Sequence, residues 1–546
     1  VREVDPIGDK GGDEIQINRA IQKIGRVSSK VSGRKRRKAK ELLETIASAG
    51  YYGYLVLRRK LGIPLEHPTL RPWYAKFLPW IPALINPGGL LFLKEGTYNL
   101  TDKILVLNND IMICGAGWGT RLLKQASISV ISVGDGSTNV YRTIIRDLQV
   151  DGNRGAGYTG NGIQLHAESG YEIADCRVEN CYIHDTNSWH VALYPKYTKR
   201  TVFSNNYIGY TNYYAIAPDY CGDMIIIGNV IIDNGYEGIG LKGCSRMLVA
   251  DNNVADSNYN LSCLYGEDNV FVDNVTRNSG QYGAYIRNTS KVLFVGNEVI
   301  SNSYDGARFE SVDIADIVAN YIKSNGKSGL ILDSSSNCDI VGNYIFSNNY
   351  AGISLYRSSY NLVALNFLKD NSQAADAGYN EINITDDGST YSTYNLVLSN
   401  LIRCTATNKA AYGIAENAAE DDYNIYKYNY IEGAATAAMN ILGAHSLVRN
   451  NFGFSNVKTV TSDYTMTWAD EIILADASSA ALKVVLPDPA AYPGYSLTIK
   501  KIDSSSNTVT INPYGSETID ENSSLILSSQ FDAVVLVSNG TNWYIR

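Results

Sequence analysis

A 23-residue phrase recurs along the middle of the chain and restricts the folds open to it. In residues 320–359, "NYIKSNGKSGLILDSSSNCDIVGNYIFSNNYAGISLYRSS", the opening Asn-Tyr-Ile returns 23 residues later. The first asparagine of the phrase falls at eight positions, 21 to 24 residues apart: Asn206, Asn229, Asn253, Asn274, Asn297, Asn320, Asn343 and Asn366. Self-similarity at such a period is typical of a solenoid, in which each repeat packs on its neighbours.

Each repeat contains short β-branched runs separated by Asn, Ser and Gly, without a helical apolar period. These are strand and turn signals, and the consensus of leucine-rich repeats is absent. We therefore predict an all-β parallel β-helix of about 12–14 coils, stacked at roughly 4.8 Å. Asparagine suits each turn because it tolerates the left-handed conformation, and stacked amides can hydrogen-bond along the column. A second such column is expected at Asn234, Asn258, Asn302, Asn325, Asn348 and Asn371.

The two ends of the repeat array resemble parts of viral tailspikes. Residues 5–24 have acidic residues followed by an apolar helical face, and residues 86–120 combine a GG-led strand, "EGTY" and a "GAG" turn. This order resembles the pectate-lyase-like right-handed β-helices of viral tailspikes over most of 5–24 and 86–455. The resemblance implies a helix that caps the β-helix core, a homotrimer, and a place on the virion surface. The alternating strands after Val457, which end in "SNGTNWYI", resemble C-terminal domains of phage tail fibres and tailspikes.

Four segments are predicted along the chain. Residues 1–25 form a capping helix region, 26–85 a basic, apolar, proline-broken insertion, 86–455 the β-helix, and 456–546 a small antiparallel β domain. The wider spacing of the repeat at 372–420 predicts longer loops there, and projecting loops often carry function.

The insertion contains most of the excess positive charge. Residues 19–76 have 15 Lys and Arg against three Glu, so the net charge of −8 leaves about −20 for the rest, which argues against unspecific nucleic-acid binding. We expect the insertion to dock to other virion proteins. A local cap with a solvated charged face, nucleic-acid contact and membrane-surface contact remain alternatives. Pro79, Pro82 and Pro87 interrupt the apolar stretch 77–93, so no transmembrane span is expected.

The cysteines and histidines give little sign of a metal or redox centre. The eight cysteines show no CxxC spacing, and most lie in apolar strand patterns, so buried free thiols are expected. Cys221 and Cys244 are one period apart, and a disulfide between them remains an alternative. The five histidines lack metal spacing, and no P-loop or catalytic triad signature is present, so we expect neither a metal nor a cofactor.

Strand alternation around a glycine column predicts which side chains leave the rod. With Gly238, Gly283, Gly306, Gly329 and Gly352 as position zero, positions +1 and +3 are apolar and should face inward. Positions −1, +2 and +4 should then form an outer face that combines aromatic and charged residues, a mixture suited to carbohydrate. The predicted carbohydrate-binding residues are Trp189, Tyr214, Glu237 and Tyr282 at position −1, Tyr285 and Arg308 at +2, and Tyr194, Arg287 and Tyr356 at +4.

Glu310 and Asp333 fall in one column of adjacent coils, with Asp305 nearby. Two carboxyls about 5 Å apart are the arrangement of retaining glycosidases, so these three residues are the catalytic candidates. The alternative is a structural ladder of ion pairs, Arg287 with Glu310 and Arg308 with Asp333. The motif sets of polygalacturonases and of the related epimerases are absent.

The favoured hypothesis is a viral, tailspike-like attachment protein that binds host-surface glycans along the β-helix, with binding alone favoured over catalysis. A polysaccharide hydrolase or lyase on the same scaffold is the second hypothesis, and a non-viral cell-surface structural protein is the third. The Tyr- and Ile-rich composition with few His suggests a thermostable protein.

Overall fold

The computed structural model describes residues 89–187 and 189–546. The predicted capping helix and almost all of the basic insertion, residues 1–25 and 26–85, lie outside the described part. From Gly89 the chain winds through parallel sheets, and each regular coil contributes one strand to each of three sheets, here called A, B and C. The prediction of an all-β parallel β-helix is confirmed. Sheet A has 15 strands, one more than the upper end of the predicted coil count.

Sheet A contains the strands Gly89–Leu93, Ile111–Gly115, Ile144–Arg146, Arg177–Glu179, Val202–Ser204, Ile225–Ile227, Leu248–Ala250, Val270–Val272, Ser290–Val295, Asp313–Val318, Ser336–Val341, Leu362–Ala364, Leu396–Leu398, Ile425–Lys427 and Leu447–Arg449. Sheet B contains Gly96–Leu100, Thr120–Lys124, Gln149–Asp151, Tyr182–His184, Tyr207–Thr211, Val230–Asn234, Asn253–Ala255, Val275–Arg277, Glu298–Ile300, Tyr321–Lys323, Tyr344–Phe346, Phe367–Lys369, Leu401–Arg403 and Tyr430–Glu432. Sheet C contains Ile104–Val106, Ile131–Gly136, Ile163–Ala167 and Leu193–Lys196, then Glu237–Lys242, Tyr259–Leu264, Ala284–Arg287, Ala307–Glu310, Leu330–Asp333, Ile353–Tyr356, Ile382–Thr385, Tyr412–Glu416 and Ala437–Asn440. A short three-stranded sheet adds Val140–Tyr141, Ile173–Ala174 and Thr198–Lys199, and a 3-10 turn spans Arg154–Ala156.

The core is a set of stacked apolar columns inside the coils. Ile286, Phe309, Leu332 and Leu355, which occupy position +3 of successive coils, are fully buried, as are the residues at +1. The predicted inward positions are therefore confirmed. Stacking identical or similar side chains at the strand spacing gives the continuous packing that stabilises a solenoid.

Buried asparagines form a hydrogen-bonded ladder along one corner. The Asn320 side-chain amide donates to Asn343 Oδ1 at 2.9 Å and to the Phe294 carbonyl at 2.9 Å, and its own oxygen accepts from Asn297. The ladder runs through Asn206, Asn229, Asn252, Asn274, Asn297, Asn320, Asn343, Asn366, Asn400, Asn429 and Asn451. The predicted hydrogen bonding between stacked amides is confirmed.

Two details of the predicted ladder are wrong. Asn252, not Asn253, occupies the ladder, and Ser257 stands where Asn258 was expected. In addition, the left-handed backbone conformation belongs to the residue before each ladder asparagine, as at Ala319, whose φ is 56°. Asparagine is therefore used here for its two-sided amide, which satisfies buried backbone groups, and not for its backbone conformation.

The coils that follow Asn366 contain longer loops, as the wider spacing predicted. Asn366 still donates to Asn400 at 3.0 Å, although 34 residues separate them. The second asparagine column ends inside this region, where Asn371 donates its backbone N–H and its side-chain amide to the buried carboxyl of Glu381. Glu381 thus replaces the next amide of the column.

A column of alternating charge follows another corner and was not predicted. Its members are Asp110, Arg142, Asp175, Arg200, Asp223, Arg246, Asp268 and Lys291, all with positive φ. Arg200 donates to Asp175 at 2.9 Å, and Arg246 donates to Asp223 at 2.6 Å. Alternation of sign places each residue beside opposite charges instead of like ones, which would be destabilising in a stacked column.

The C-terminal domain is mixed and not purely antiparallel as predicted. Its first sheet contains Val457–Val460, Ile472–Ala475, Ser496–Lys501, Ala533–Ser538 and Trp543–Ile545, and its second contains Tyr464–Thr465, Leu482–Val485, Val509–Asn512 and Leu525–Leu527. The early strands pair in parallel, and only the later ones pair antiparallel. Trp468 and Trp543 stack in its core at 5.7 Å, and Leu447 of the last coil packs against the same core. The domain thus covers the end of the solenoid.

All eight cysteines are free thiols, and seven of them are buried. The expected free thiols are confirmed, and Cys221 and Cys244 stack without a disulfide, with the Cys221 N–H 3.4 Å from Cys244 Sγ. Among the described residues, no helix is long and apolar enough to cross a membrane.

Candidate functional site

The outer face of sheet C brings most of the predicted site residues together. Arg287, Glu310, Asp333 and Tyr356 pair in register in successive strands, and so do Tyr285 and Arg308. The regular 23-residue spacing places the residues of each column one above the other, because each coil repeats the same turn lengths.

Glu310 is held by three neighbours on this face. The Tyr285 hydroxyl donates to Glu310 Oε2 at 2.8 Å, Arg287 Nε lies 3.1 Å from Oε1, and Arg308 Nε lies 3.4 Å from Oε2. Burial, together with the Glu310 carboxylate, raises the pKa of Tyr285 well above its ordinary value. Glu310 is therefore an acceptor within a network and not an isolated acid.

Asp333 is more deeply placed, with a relative exposure of 1%. Arg308 donates to its Oδ2, and Arg357 donates to its Oδ1 at 2.5 Å. Arg357 also lies 3.3 Å from Asp387, so it links the face to the first long loop. The ion pairs of the structural alternative, Arg287 with Glu310 and Arg308 with Asp333, are both present.

Asp305 lies below the face, with a relative exposure of 3%. It accepts the Ser328 N–H at 3.0 Å, and Arg308 lies 3.6 Å away. Burial raises the pKa of the Asp305 carboxyl despite these two contacts. Arg308 thus faces three carboxylates, those of Asp305, Glu310 and Asp333.

Glu237 was predicted to lie on the outer face but is buried, with a relative exposure of 6%. Its carboxyl folds into the notch that Gly240 leaves, where a Cβ would lie 1.9 Å from Glu237 Oε2. The Ser262 hydroxyl donates to the same oxygen at 2.5 Å. Burial raises the pKa of Glu237 to about 7, so the carboxyl exchanges a proton near neutral pH.

Two of the predicted residues stand in other positions than expected. Leu193 pairs with Ile216, which pairs with Ile239, so Tyr194 belongs to the +2 column and not to +4. Trp189 precedes the strand by several residues and lies in a turn, with a relative exposure of 78%. The glycine that set the frame elsewhere is replaced by Ala192 in this coil, which is why the alignment slipped.

A tyrosine strip beside sheet C was not predicted as a continuous feature. Tyr213 stacks on Tyr236 at 5.5 Å, Tyr236 contacts Tyr259 at 5.6 Å, and Tyr259 contacts Tyr282 at 5.7 Å. Tyr304 follows at 5.9 Å, with Lys327 Nζ 4.2 Å from its ring centre. Trp189 extends the other end through Tyr213, and Tyr214 and Tyr285 pack against its side. The sequence does contain a signal for this strip, because successive repeats have a tyrosine at or next to position −2.

Outside this face, the described residues contain one group of three His or carboxylate side chains with close ligand atoms, Asp151, His184 and Asp185. His184 Nδ1 lies 2.7 Å from Asp185 Oδ2, and the Tyr182 ring stacks on the imidazole at 4.2 Å. The Arg121 guanidinium donates to Asp151 Oδ2. A cation bound here would compete with that guanidinium, so we assign the group no metal.

The parallel ladders and the stacked interior columns define a β-solenoid of three-stranded coils. The sequence model described as a right-handed β-helix region matches residues 124–276 and 261–415, together more than half of the chain. The protein belongs to the right-handed β-helix family. The expected handedness is thereby confirmed.

Several solved structures are similar to this chain at low identity. The A-module of the mannuronan C-5 epimerase AlgE6 of Azotobacter vinelandii is 17% identical, with 67% of this chain and 91% of that chain covered and a TM-score of 0.44. Tailspike protein 3 of bacteriophage CBA120 is 13% identical, with 68% and 58% covered and a TM-score of 0.39. A family PL6 polysaccharide lyase of Pseudopedobacter saltans is 14% identical, with 66% and 91% covered and a TM-score of 0.38. No curated protein sequence matches.

Proposed function

We propose that this protein is a glycan-binding β-helix that attaches a virion to the surface of its host. The observation that carries the proposal is the tyrosine strip, in which Tyr213, Tyr236, Tyr259, Tyr282 and Tyr304 follow one another at 5.5 to 5.9 Å. Rings in this arrangement offer apolar surface for sugar faces and hydroxyls for hydrogen bonds. A strip that crosses five coils suits an extended polysaccharide better than a single small molecule.

The charged part of the face favours a glycan of low net charge. Arg287 and Arg308 are paired with Glu310 and Asp333, and Arg357 is shared between Asp333 and Asp387. Groups neutralised in this way can still accept and donate hydrogen bonds at their exposed edges. They provide orientation for sugar hydroxyls without a strong field of one sign.

The virion location rests on the sequence resemblance of residues 86–120 and of the C-terminal domain to tailspikes. The same resemblance supports a homotrimer, with residues 26–85 docking to other virion proteins. Sedimentation of the purified full-length chain tests the trimer, and a sedimenting monomer at micromolar concentration would contradict it.

A second function, polysaccharide cleavage, is favoured by one observation. Glu237 lies beside the strip between Tyr214 and Tyr236, and its pKa of about 7 suits a general acid at neutral pH. Glu310 and Asp333 are less suited to that role because both are engaged by arginines. On this hypothesis Glu237 gives its proton to the leaving sugar oxygen while a water molecule adds to the anomeric carbon.

The experiment measures binding and reducing-end release on an array of host-envelope glycans. We expect the variant Tyr259→Ala/Tyr282→Ala to bind at least tenfold more weakly, because it interrupts the strip in two adjacent coils. Tyr344→Ala is the matched control, since Tyr344 also stacks between aromatic rings, Tyr321 and Phe367, but on sheet B. An equal loss in both variants would remove the strip as the binding site.

Release of sugars separates the two functions. Binding without release supports an attachment protein. Release that Glu237→Gln abolishes while binding persists supports the enzyme, and release that depends instead on Glu310→Gln/Asp333→Asn moves the catalytic role to those carboxylates. If the protein neither binds nor cleaves any glycan of the host, both functions are refuted.

A further inference from the structure

Arg449 is a buried cation in the last strand of sheet A. Its relative exposure is 5%, and Nη1 donates to the carbonyls of Val448 and Trp468 at 2.6 and 2.8 Å. Nη2 is buried and has no hydrogen-bond partner among the described residues. No carboxylate of the described residues lies within ion-pair distance of the guanidinium. A buried charge is ordinarily paired. Glu471 and Asp470 attract the guanidinium without forming an ion pair with it, so Arg449 still lacks an anion in direct contact.

Lys427 adds a second cation directly beside it. The two residues pair in register in the last two strands of sheet A, and Lys427 also has no ion pair among the described residues. Like charges at paired positions are destabilising. The Lys427 ammonium donates to the Tyr495 hydroxyl at 2.5 Å, so it faces the same tyrosine as Arg449 does.

Both cations line a cavity between the last coils and the C-terminal domain. The cavity has a volume of about 260 Å³, and Tyr428, Tyr495, Glu471 and Ser496 also line it. The Tyr495 ring lies 5.0 Å from the ammonium and 5.9 Å from the guanidinium. A space of this size, below that of most drug-sized ligand pockets, accommodates one sugar ring.

We infer that this cavity binds the carboxylate of an acidic sugar, with Arg449 and Lys427 as its anion partners and Tyr495 and Tyr428 as its aromatic walls. An arginine holds a carboxylate through charge-assisted hydrogen bonds, and a tyrosine supplies both a ring face and a hydroxyl. Glu471 can accept from the sugar hydroxyls, which excludes a ligand with several negative charges. The site is separate from the tyrosine strip, so neither proposal depends on the other.

Calorimetric titration of the full-length protein with glucuronate tests the inference. We expect glucuronate to bind and glucose, which has the same ring without the carboxylate, not to bind. Lys427→Gln should weaken glucuronate binding at least tenfold, since a charge-assisted hydrogen bond is lost. Arg449→Gln should weaken it further, and Lys427→Gln keeps the test valid if Arg449→Gln does not fold.

Lys458→Gln is the matched control. Lys458 also lies over a tyrosine ring, Tyr464 at 4.2 Å, and donates to its hydroxyl at 2.9 Å, but it does not line the cavity. Unchanged binding in this variant supports the site. The inference is overturned if glucuronate does not bind, if glucose binds equally, or if Lys427→Gln and Lys458→Gln behave alike. Inorganic phosphate that binds as tightly as glucuronate would overturn the assignment to a sugar acid.

Discussion

Two neighbouring asparagines allow the energetic role of the ladder to be measured directly. The Asn252 side chain donates to the Ile226 carbonyl at 2.9 Å and to Asn274 Oδ1 at 3.0 Å. Its oxygen accepts the Asn229 N–H at 3.0 Å and the Asn229 amide at 2.9 Å. Asn253 is next in the chain, but its side-chain oxygen has no hydrogen-bond partner in the part of the chain that the structure describes.

Asn252→Ala should therefore cost far more stability than Asn253→Ala. Four buried hydrogen bonds at about 1 kcal/mol each give about 4 kcal/mol, and the Asn229 N–H, which loses its acceptor, adds to this cost. Asn253→Ala removes an acceptor that has no partner, so its cost should stay below about 1 kcal/mol. The two variants delete the same atoms one residue apart, so composition cannot account for the difference.

Urea unfolding followed by circular dichroism gives the free energy of unfolding of both variants and of the parent protein. We expect a difference of about 3 kcal/mol between the two variants, with similar denaturant slopes. Equal losses would mean that the ladder contributes no more than any half-buried polar side chain. The argument that asparagine was selected for its amide would then fail.

Two further predictions concern charges. Burial raises the pKa of Glu381 to about 7 from its ordinary 4.5. The contribution of Glu381 to the free energy of unfolding is therefore complete below about pH 4.5 and falls by about 3 kcal/mol as the pH rises to about 7. Glu381→Gln should flatten the dependence of the unfolding free energy between pH 5 and 8, and an unchanged slope would contradict the assignment. Arg246→Gln, at an exposed pair with Asp223, should cost less than about 1 kcal/mol. That cost should shrink in 1 M salt, and a salt-independent cost would point to packing instead of charge.

The repeat made the fold predictable, and it also explains where the prediction slipped. A 23-residue period with strand and turn signals leaves few architectures, and the inward columns follow from alternation once one glycine is fixed. The register is lost where the glycine is absent, as at Ala192, so Trp189 and Tyr194 were assigned to wrong positions. Two adjacent asparagines, Asn252 and Asn253, match the repeat about equally well in sequence, and only the buried hydrogen bonds distinguish them.

The pairing direction of the C-terminal strands could not be predicted from the sequence pattern. Alternation of apolar and polar residues is the same for a strand with parallel and with antiparallel neighbours. It shows which face of the strand is buried and not the direction of the neighbouring strand. The parallel pairing of Ile472–Ala475 with Ser496–Lys501 therefore had no signature. The charge column did have one, since Arg200, Asp223 and Arg246 are each 23 residues apart.

The same stacking rule indicates where specificity can reside in such a protein. Columns that hold the solenoid together, the inward aliphatic residues and the ladder amides, must keep their chemistry from coil to coil because each member contacts its like. Columns on the outer corners are free to change, and they do. The strip is aromatic from Tyr213 to Tyr304, is interrupted by Lys327, and resumes in the same column with the stacked rings of Tyr350 and Tyr379. The charge column gives way to the stacked rings of Tyr360 and Tyr394. A ligand that lies along the solenoid contacts these columns coil by coil. The coils at which a column changes from one residue type to another therefore determine the length of ligand that binds and its position along the solenoid.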